Sequence, residues 1–300
     1  MRSRYFYLLL SILFSSNLFA SYLFTDNKFE SHKNWQEFSQ DERLNVRNLL
    51  VYLKRSETGK KLIELAKEKA AEQNQSILDI IKAGRGSLTD TTLVRRFTTG
   101  NPDDIEYEMK SIVYLNQGHN QYDALMDLAH ELTHFVFREK FNPYTKNFTL
   151  AEFIQSTIEG TGGEAHAFMM ECKVHYELFP SKSARNNCNH VIDESTGKLS
   201  KDKTVRRFYQ VGGYFDSFVG MLKKHGVKNL FPFVTQESAS FVSSAYGIPY
   251  PVAAFEEYLT VLNKVCENDR KRLGYIQKRS PASANQFARD FEKRCSEFDY

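Results

Sequence analysis

The sequence has few cysteines, prolines and tryptophans: four, seven and one in 300 residues. It also lacks a strong excess of one charge, since 40 lysines and arginines are nearly balanced by 37 aspartates and glutamates. A chain this close to neutrality has no electrostatic basis for binding nucleic acid. We therefore expect no nucleic-acid partner.

A long apolar run is also missing after the amino-terminal segment, because a bilayer span needs about 20 apolar residues. Residues 1–20 have the pattern of an export signal: two arginines, an apolar run over 5–14, and Ala20 before the expected cleavage point. We predict a signal peptide over 1–20 and a periplasmic or secreted mature chain with no stable membrane span after signal cleavage. The alternative is an uncleaved signal that anchors the chain, since apolar residues continue to Phe24.

The four cysteines are Cys172, Cys188, Cys266 and Cys295. An even number in an exported chain predicts two disulfides, for which three pairings exist. Pairing by nearness in sequence gives Cys172–Cys188 and Cys266–Cys295. A zinc site of four thiolates is disfavoured because the sequence has no C-x-x-C pair. Free buried thiols are the other alternative.

Hydrophobic periodicity predicts a mainly helical chain. Helices are predicted over 41–55, 57–74, 122–138 and 149–178, and residues 201–300 are mainly helical in pattern. Glycines between 160 and 163 interrupt the fourth of these segments, which predicts two helices or a kink.

Only two segments predict strands, so we expect a small sheet. Ser76–Ile81 is short and rich in isoleucine, and Ile105–Leu115 ends in an apolar run. Asn101–Asp104 has the composition of a turn before the second strand. No repeat or low-complexity linker divides the chain, so we expect a single α+β domain over 21–300 whose carboxyl-terminal part, about 201–300, is helical.

The sequence His130-Glu131-Leu132-Thr133-His134 falls on the predicted helix 122–138. Residues four apart lie on one face of a helix, so His130 and His134 present two imidazoles to a single point. Glu131 is about 100° further around the helix, within reach of a metal-bound water. The H-E-x-x-H pattern therefore predicts two Zn²⁺ ligands and a catalytic general base, Glu131.

A catalytic zinc usually has a third protein ligand and one open position. The metzincin pattern requires glycine and histidine where Phe137 and Lys140 stand, so that class is excluded. The candidate carboxylates that follow are Glu152, Glu159, Glu164 and Glu171. We favour Glu164, because its small neighbours would let a second helix approach closely. Glu159 is the runner-up. A less favoured alternative makes His166 the third ligand; otherwise we expect His166 to support one.

Segment 121–171 resembles the gluzincin group of zinc metallopeptidases, in which H-E-x-x-H is followed by a helix carrying a glutamate ligand. The Glu-Ala-His-Ala run that begins at Glu164 is similar to the ligand helices of several such families. The resemblance implies a zincin-like fold and hydrolysis of a protein or peptide substrate. It also implies that His130, His134 and Glu164 bind zinc while Glu131 activates water.

Two further expectations come from the same resemblance. The strand that ends near Tyr114 would be the edge strand along which the substrate lies. A tyrosine or histidine would stabilise the oxyanion, and the candidates are Tyr209, Tyr214, His225, Tyr246 and Tyr250. The loop Ser243–Gly247 is the first of these to test, because small residues suit a mobile site loop.

The sequence thus favours an exported zinc metallopeptidase. Two interpretations stay open beside it. The chain could be a catalytically silent metal-binding interaction protein of the cell envelope, or a structural protein in which the histidine motif is accidental.

Overall fold

The computed structural model describes residues 29–98, 101–139, 142–145, 148–180, 187–279 and 281–296; the predicted signal peptide lies outside these ranges. The helices are α1 (Glu42–Leu53), α2 (Glu57–Glu72), α3 (Ile77–Ile80), α4 (Gln121–Phe137), α5 (Leu150–Ile158), α6 (Glu164–Leu178), α7 (Lys201–Phe208), α8 (Phe215–Lys224), α9 (Tyr250–Arg279) and α10 (Pro281–Cys295). The strands are β1 (Ile81–Gly84), β2 (Leu88–Thr98), β3 (Asn101–Asn116), β4 (Ile192–Asp193) and β5 (Lys198–Leu199). A mainly helical chain with little sheet agrees with the predicted α+β class.

The three-stranded sheet has the order β1–β3–β2, with β1 parallel and β2 antiparallel to β3. The expectation that the strand ending near Tyr114 is an edge strand was wrong. Tyr114 belongs to β3, which is central because it pairs with Lys82 on one side and with Leu88 on the other. Within the described part of the chain β2 pairs with β3 alone, so β2 is an edge strand.

Two local predictions also need correction. Most of Ser76–Ile81 is the short helix α3, because the side chains of Ser76 and Asp79 satisfy its first backbone groups in a capping box. The segment Asn101–Asp104, predicted as a turn, is the start of β3, since its pairing with β2 extends to Asn101. The strand pattern of β2 was missed altogether.

Buried apolar side chains form two clusters that meet at α6. The first cluster contains residues of α1, α2, α4 and the sheet. The second contains residues of all the helices from α5 through α9. Helix α6 contributes Val174 to the first cluster and Phe168 to the second. The glycine interruption divides α5 from α6 as predicted.

Both disulfides are those predicted by nearness in sequence. Cys172 of α6 pairs with Cys188, and Cys266 of α9 pairs with Cys295 of α10. Two disulfides are typical of an oxidising, exported environment. No helix in the described ranges combines the length and hydropathy that crossing a membrane would require.

Candidate metal centre

Helix α4 carries the two histidines and fixes their direction. Asn120 caps it by accepting a hydrogen bond from the backbone N–H of Asp123 at 2.8 Å. Leu128 and Leu132 are fully buried in the first cluster and hold the helix in place. His130 and His134 lie one turn apart, with ring centroids separated by 4.8 Å. Both imidazoles contact glutamates of α6.

Glu164, the first residue of α6, faces both imidazoles. Its Oε2 lies 3.3 Å from Nε2 of His130, and its Oε1 lies 3.4 Å from Nε2 of His134. One ligand atom from each of the three residues falls within 4.8 Å of the others, so the group could hold a metal ion. Two imidazoles and one carboxylate are a donor set found at catalytic zinc sites.

The second nitrogen of each imidazole is also engaged, which turns the Nε2 atoms toward Glu164. Nδ1 of His130 lies 3.1 Å from Oε2 of Glu171, and Nδ1 of His134 lies 2.7 Å from the carbonyl oxygen of Gly162. Partners of this kind fix the tautomer and orientation of metal-binding histidines. The residues present therefore fit a bound metal ion in their supporting contacts as well as in their donor atoms.

Gly162 occupies a position that only glycine fits. Its φ is +73°, and an added Cβ would lie 2.2 Å from the backbone nitrogen of Arg138 at the end of α4. The backbone N–H of Gly162 donates to Nδ1 of His166 at 3.0 Å. His166 thus supports a predicted ligand through the loop, and the small residues give the close helix approach on which the choice of Glu164 rested.

The other predicted carboxylates are held elsewhere. Glu159 accepts a 2.6 Å hydrogen bond from the hydroxyl of Tyr209. Glu152 accepts a hydrogen bond from Thr149 at the start of α5. Glu171 contacts Nδ1 of His130, the ring nitrogen that does not face Glu164. Among the described residues, Glu164 is the glutamate that joins the two histidines in the group able to hold a metal.

The charge states of these side chains depend on one another. Burial acts to raise the pKa of Glu164, but His134 and His130 outweigh it and hold that pKa well below its usual value. Burial acts to lower the pKa of His130, but hydrogen bonds to Glu164 and Glu171 hold it well above its usual value. An ionised carboxylate is therefore buried at the centre of the group, and without a metal it is compensated by the neighbouring imidazoles.

Glu131 lies beside this group and is held by the edge strand. The hydroxyl of Thr89 on β2 lies 2.8 Å from Oε2 of Glu131 and 2.9 Å from its carbonyl oxygen. One helical turn earlier, the hydroxyl of Ser87 donates to Asp127. Ser87 and Thr89 are two residues apart, about 6.6 Å along an extended chain, and one turn of α4 rises about 5.4 Å. Because these two lengths are similar, alternate residues at the start of β2 can contact successive turns of α4. Sequence reasoning missed both hydroxyls.

A cleft of about 670 Å³ opens over these residues. It is lined by β2, α4, α9 and the predicted loop residues Ser243 to Tyr246. Of the five candidates for oxyanion stabilisation, Tyr246 and Tyr250 line the cleft. Burial raises the pKa of the Tyr250 hydroxyl well above its usual value, and the neighbouring carboxylates of Glu164, Glu131 and Glu171 add to the rise.

The remaining three candidates do not line the cleft. Tyr209 donates to Glu159, Tyr214 is exposed, and His225 packs edge-on against Phe255. The sequence could not separate these residues because tyrosine is common in the chain, with 16 copies.

Comparison of the chain with protein-family models, with curated proteins and with solved structures found no match. The function must therefore be argued from the site itself, since a site rather than a fold defines a function.

Replacing Gly162 by alanine tests the support given to His134. We expect Gly162→Ala to weaken zinc affinity at least about 10-fold, because the added Cβ would meet Arg138 and displace the carbonyl oxygen that supports His134. Competition with a chromogenic chelator measures this. Gly220→Ala is the matched control, because an added Cβ there meets nothing within 4 Å. Equal zinc affinity in wild type and Gly162→Ala would contradict this role.

Proposed function

We propose that this chain is a zinc metallopeptidase that hydrolyses peptide bonds with Glu131 as the general base. The observation that carries the proposal is the convergence of His130, His134 and Glu164 within 4.8 Å, beside a buried Glu131 in an open cleft. The resemblance of this segment to the gluzincin group is part of the proposal. The predicted export signal and the two disulfides favour a periplasmic or secreted enzyme.

The donor set supports zinc as the metal. Imidazole nitrogens suit zinc, copper, iron and nickel, and the H-E-x-x-H arrangement on one helix is that of zinc enzymes. A zinc ion bound here would lower the pKa of a water molecule and polarise the carbonyl of the scissile bond.

Glu131 is suited to move the proton. Burial raises the pKa of its carboxyl group, which brings it nearer to the range in which a general base works best. The hydrogen bond from Thr89 fixes one carboxylate oxygen at 2.8 Å and leaves the other for a water proton. Glu131 would take that proton and deliver it to the nitrogen of the leaving amine.

Tyr250 is suited to donate a hydrogen bond to the developing oxyanion. Its hydroxyl keeps its proton because burial and the carboxylates of Glu164 and Glu131 raise its pKa well above the usual value. It lines the same cleft as the three proposed metal ligands. Tyr246, on the neighbouring loop, is more exposed and is the alternative donor.

The free edge of β2 supports an extended peptide as the substrate. Leu88, Thr89 and Thr91 of this strand line the cleft, and an edge strand offers unpaired backbone groups to an added strand. The role that the gluzincin resemblance gives to an edge strand thus falls to β2 rather than to β3.

Replacing Glu131 by glutamine tests the proposed general base. We expect Glu131→Gln to retain zinc and to lose at least about 10²-fold in kcat, since an amide cannot accept the water proton. Hydrolysis of a fluorogenic peptide library and zinc analysis of the same samples measure both. Glu152→Gln, at an exposed glutamate of α5, is the control and should match wild type. Zinc-loaded wild type without hydrolysis would favour the catalytically silent metal-binding protein instead.

Replacing Tyr250 by phenylalanine tests the oxyanion donor. Loss of one such donor costs about 10²- to 10³-fold in kcat, so Tyr250→Phe should show that loss with KM and zinc content little changed. Steady-state kinetics on the best library peptide measure it, with Tyr246→Phe in parallel. A normal kcat in Tyr250→Phe and a reduced one in Tyr246→Phe would move the role to Tyr246.

A further inference from the structure

Side chains join β2 to α9, two walls of the cleft, beyond Leu93 and Asn268, which line it. Four residues contact one another here: three lie outside the lining, and Tyr144 is part of it. We call them the clasp; they are Arg95, Tyr144, Asp269 and Arg294.

Asp269 is the centre of the clasp. Its Oδ1 lies 2.9 Å from Nη1 of Arg95, and its Oδ2 lies 3.2 Å from Nη1 of Arg294. The side chains of Arg95 and Asp269 are only 10% and 5% exposed. Separating a buried pair of this kind strands a charge away from water, which is strongly unfavourable. The edge strand and α9 are therefore held together at this point.

Tyr144 fills the space beside the ion pairs. The guanidinium of Arg95 lies 4.1 Å from the centre of its ring, and its hydroxyl accepts a 2.9 Å hydrogen bond from Asn268. Its carbonyl oxygen accepts a hydrogen bond from Arg294 at 3.1 Å. The Cys266–Cys295 disulfide joins α9 to α10 next to Asp269 and Arg294. The four residues of the clasp thus come from four separate parts of the chain: β2, the segment before α5, α9 and α10.

The position of the clasp limits what can lie along β2. Thr89 contacts Glu131, and Arg95 is six residues further along the strand, a distance of about 20 Å. A peptide strand added to β2 would pair more favourably in the antiparallel sense. Since β2 runs from Thr89 toward the clasp, the antiparallel peptide would have its amino-terminal end at the clasp.

We propose that the clasp makes this a peptidase for the amino-terminal ends of extended peptides, which cleaves within about six residues of a free amino terminus. The inference rests on the proposed peptidase function. Arg95, Asp269 and Arg294 are then specificity-determining residues: they exclude chains that continue past the closed end, but they take no part in the chemistry.

Two series of fluorogenic peptides test the proposal on the full mature chain. One series lengthens the substrate on the amino-terminal side of the mapped scissile bond, and the other lengthens it on the carboxyl-terminal side. We expect kcat/KM to fall at least about tenfold once the amino-terminal side exceeds about six residues, because the closed end blocks longer chains. The carboxyl-terminal series should show no such limit.

Arg95→Gln supplies the matching variant, because it removes the contact between β2 and α9 while Arg294 still compensates Asp269. It should lose the amino-terminal length limit and keep the activity on short peptides. The control is Arg96→Gln, at the neighbouring exposed arginine that pairs with Glu108; it should keep the limit.

The outcomes separate the two proposals. Rates that do not depend on amino-terminal length in wild type, with hydrolysis that Glu131→Gln abolishes, would overturn the clasp proposal alone. A limit on the carboxyl-terminal side would also overturn it. Absence of any Glu131-dependent cleavage would overturn the peptidase function and the clasp proposal with it. If Arg95→Gln fails to fold, the wild-type series still decides.

Discussion

The site depends on the contact between the glycine turn before α6 and the end of α4. The carbonyl oxygen of Gly162 lies 2.7 Å from Nδ1 of His134, and the same residue packs against the backbone of Arg138. This contact orients the imidazole of His134. Glu164 follows Gly162 by two residues, so the same contact places its carboxylate beside both histidines. A side chain at this position would force the two helices apart, and the three ligand atoms would no longer converge.

That convergence carries an electrostatic cost which the surroundings offset. Glu164 is buried, yet His134 and His130 keep the pKa of its carboxyl group low, and Arg138 lies 3.3 Å from Oε1. Burying a carboxylate is expensive unless it is paired, so a packed core alone would not retain this arrangement. A buried carboxylate flanked by two imidazoles beside an open cleft could hold a metal ion. The same burial raises the pKa of Glu131, which a protein can use for proton transfer.

The sequence predicted the parts of the site that are local in the chain. Helical spacing placed His130 and His134 on one face, and the glycines before Glu164 indicated a close helix approach. It could not identify Thr89, because that contact with Glu131 depends on which strand forms the edge of the sheet. The edge was assigned to the wrong strand since β2 is rich in threonine and charge and lacks the apolar run of β3. Arg95 and Asp269 are 174 residues apart, and nothing local in either segment signals their pairing.

We propose that His130, His134 and Glu164 bind one zinc ion. X-ray absorption spectroscopy on the zinc-loaded protein, together with its zinc content, measures this binding. We expect about one zinc per chain, with two imidazole nitrogens and carboxylate oxygen bound to the metal at about 2.0–2.2 Å. The carboxylate contribution should disappear in Glu164→Ala and persist in Glu159→Ala. Zinc well below one per chain, or a first shell without two imidazoles, would contradict the claim.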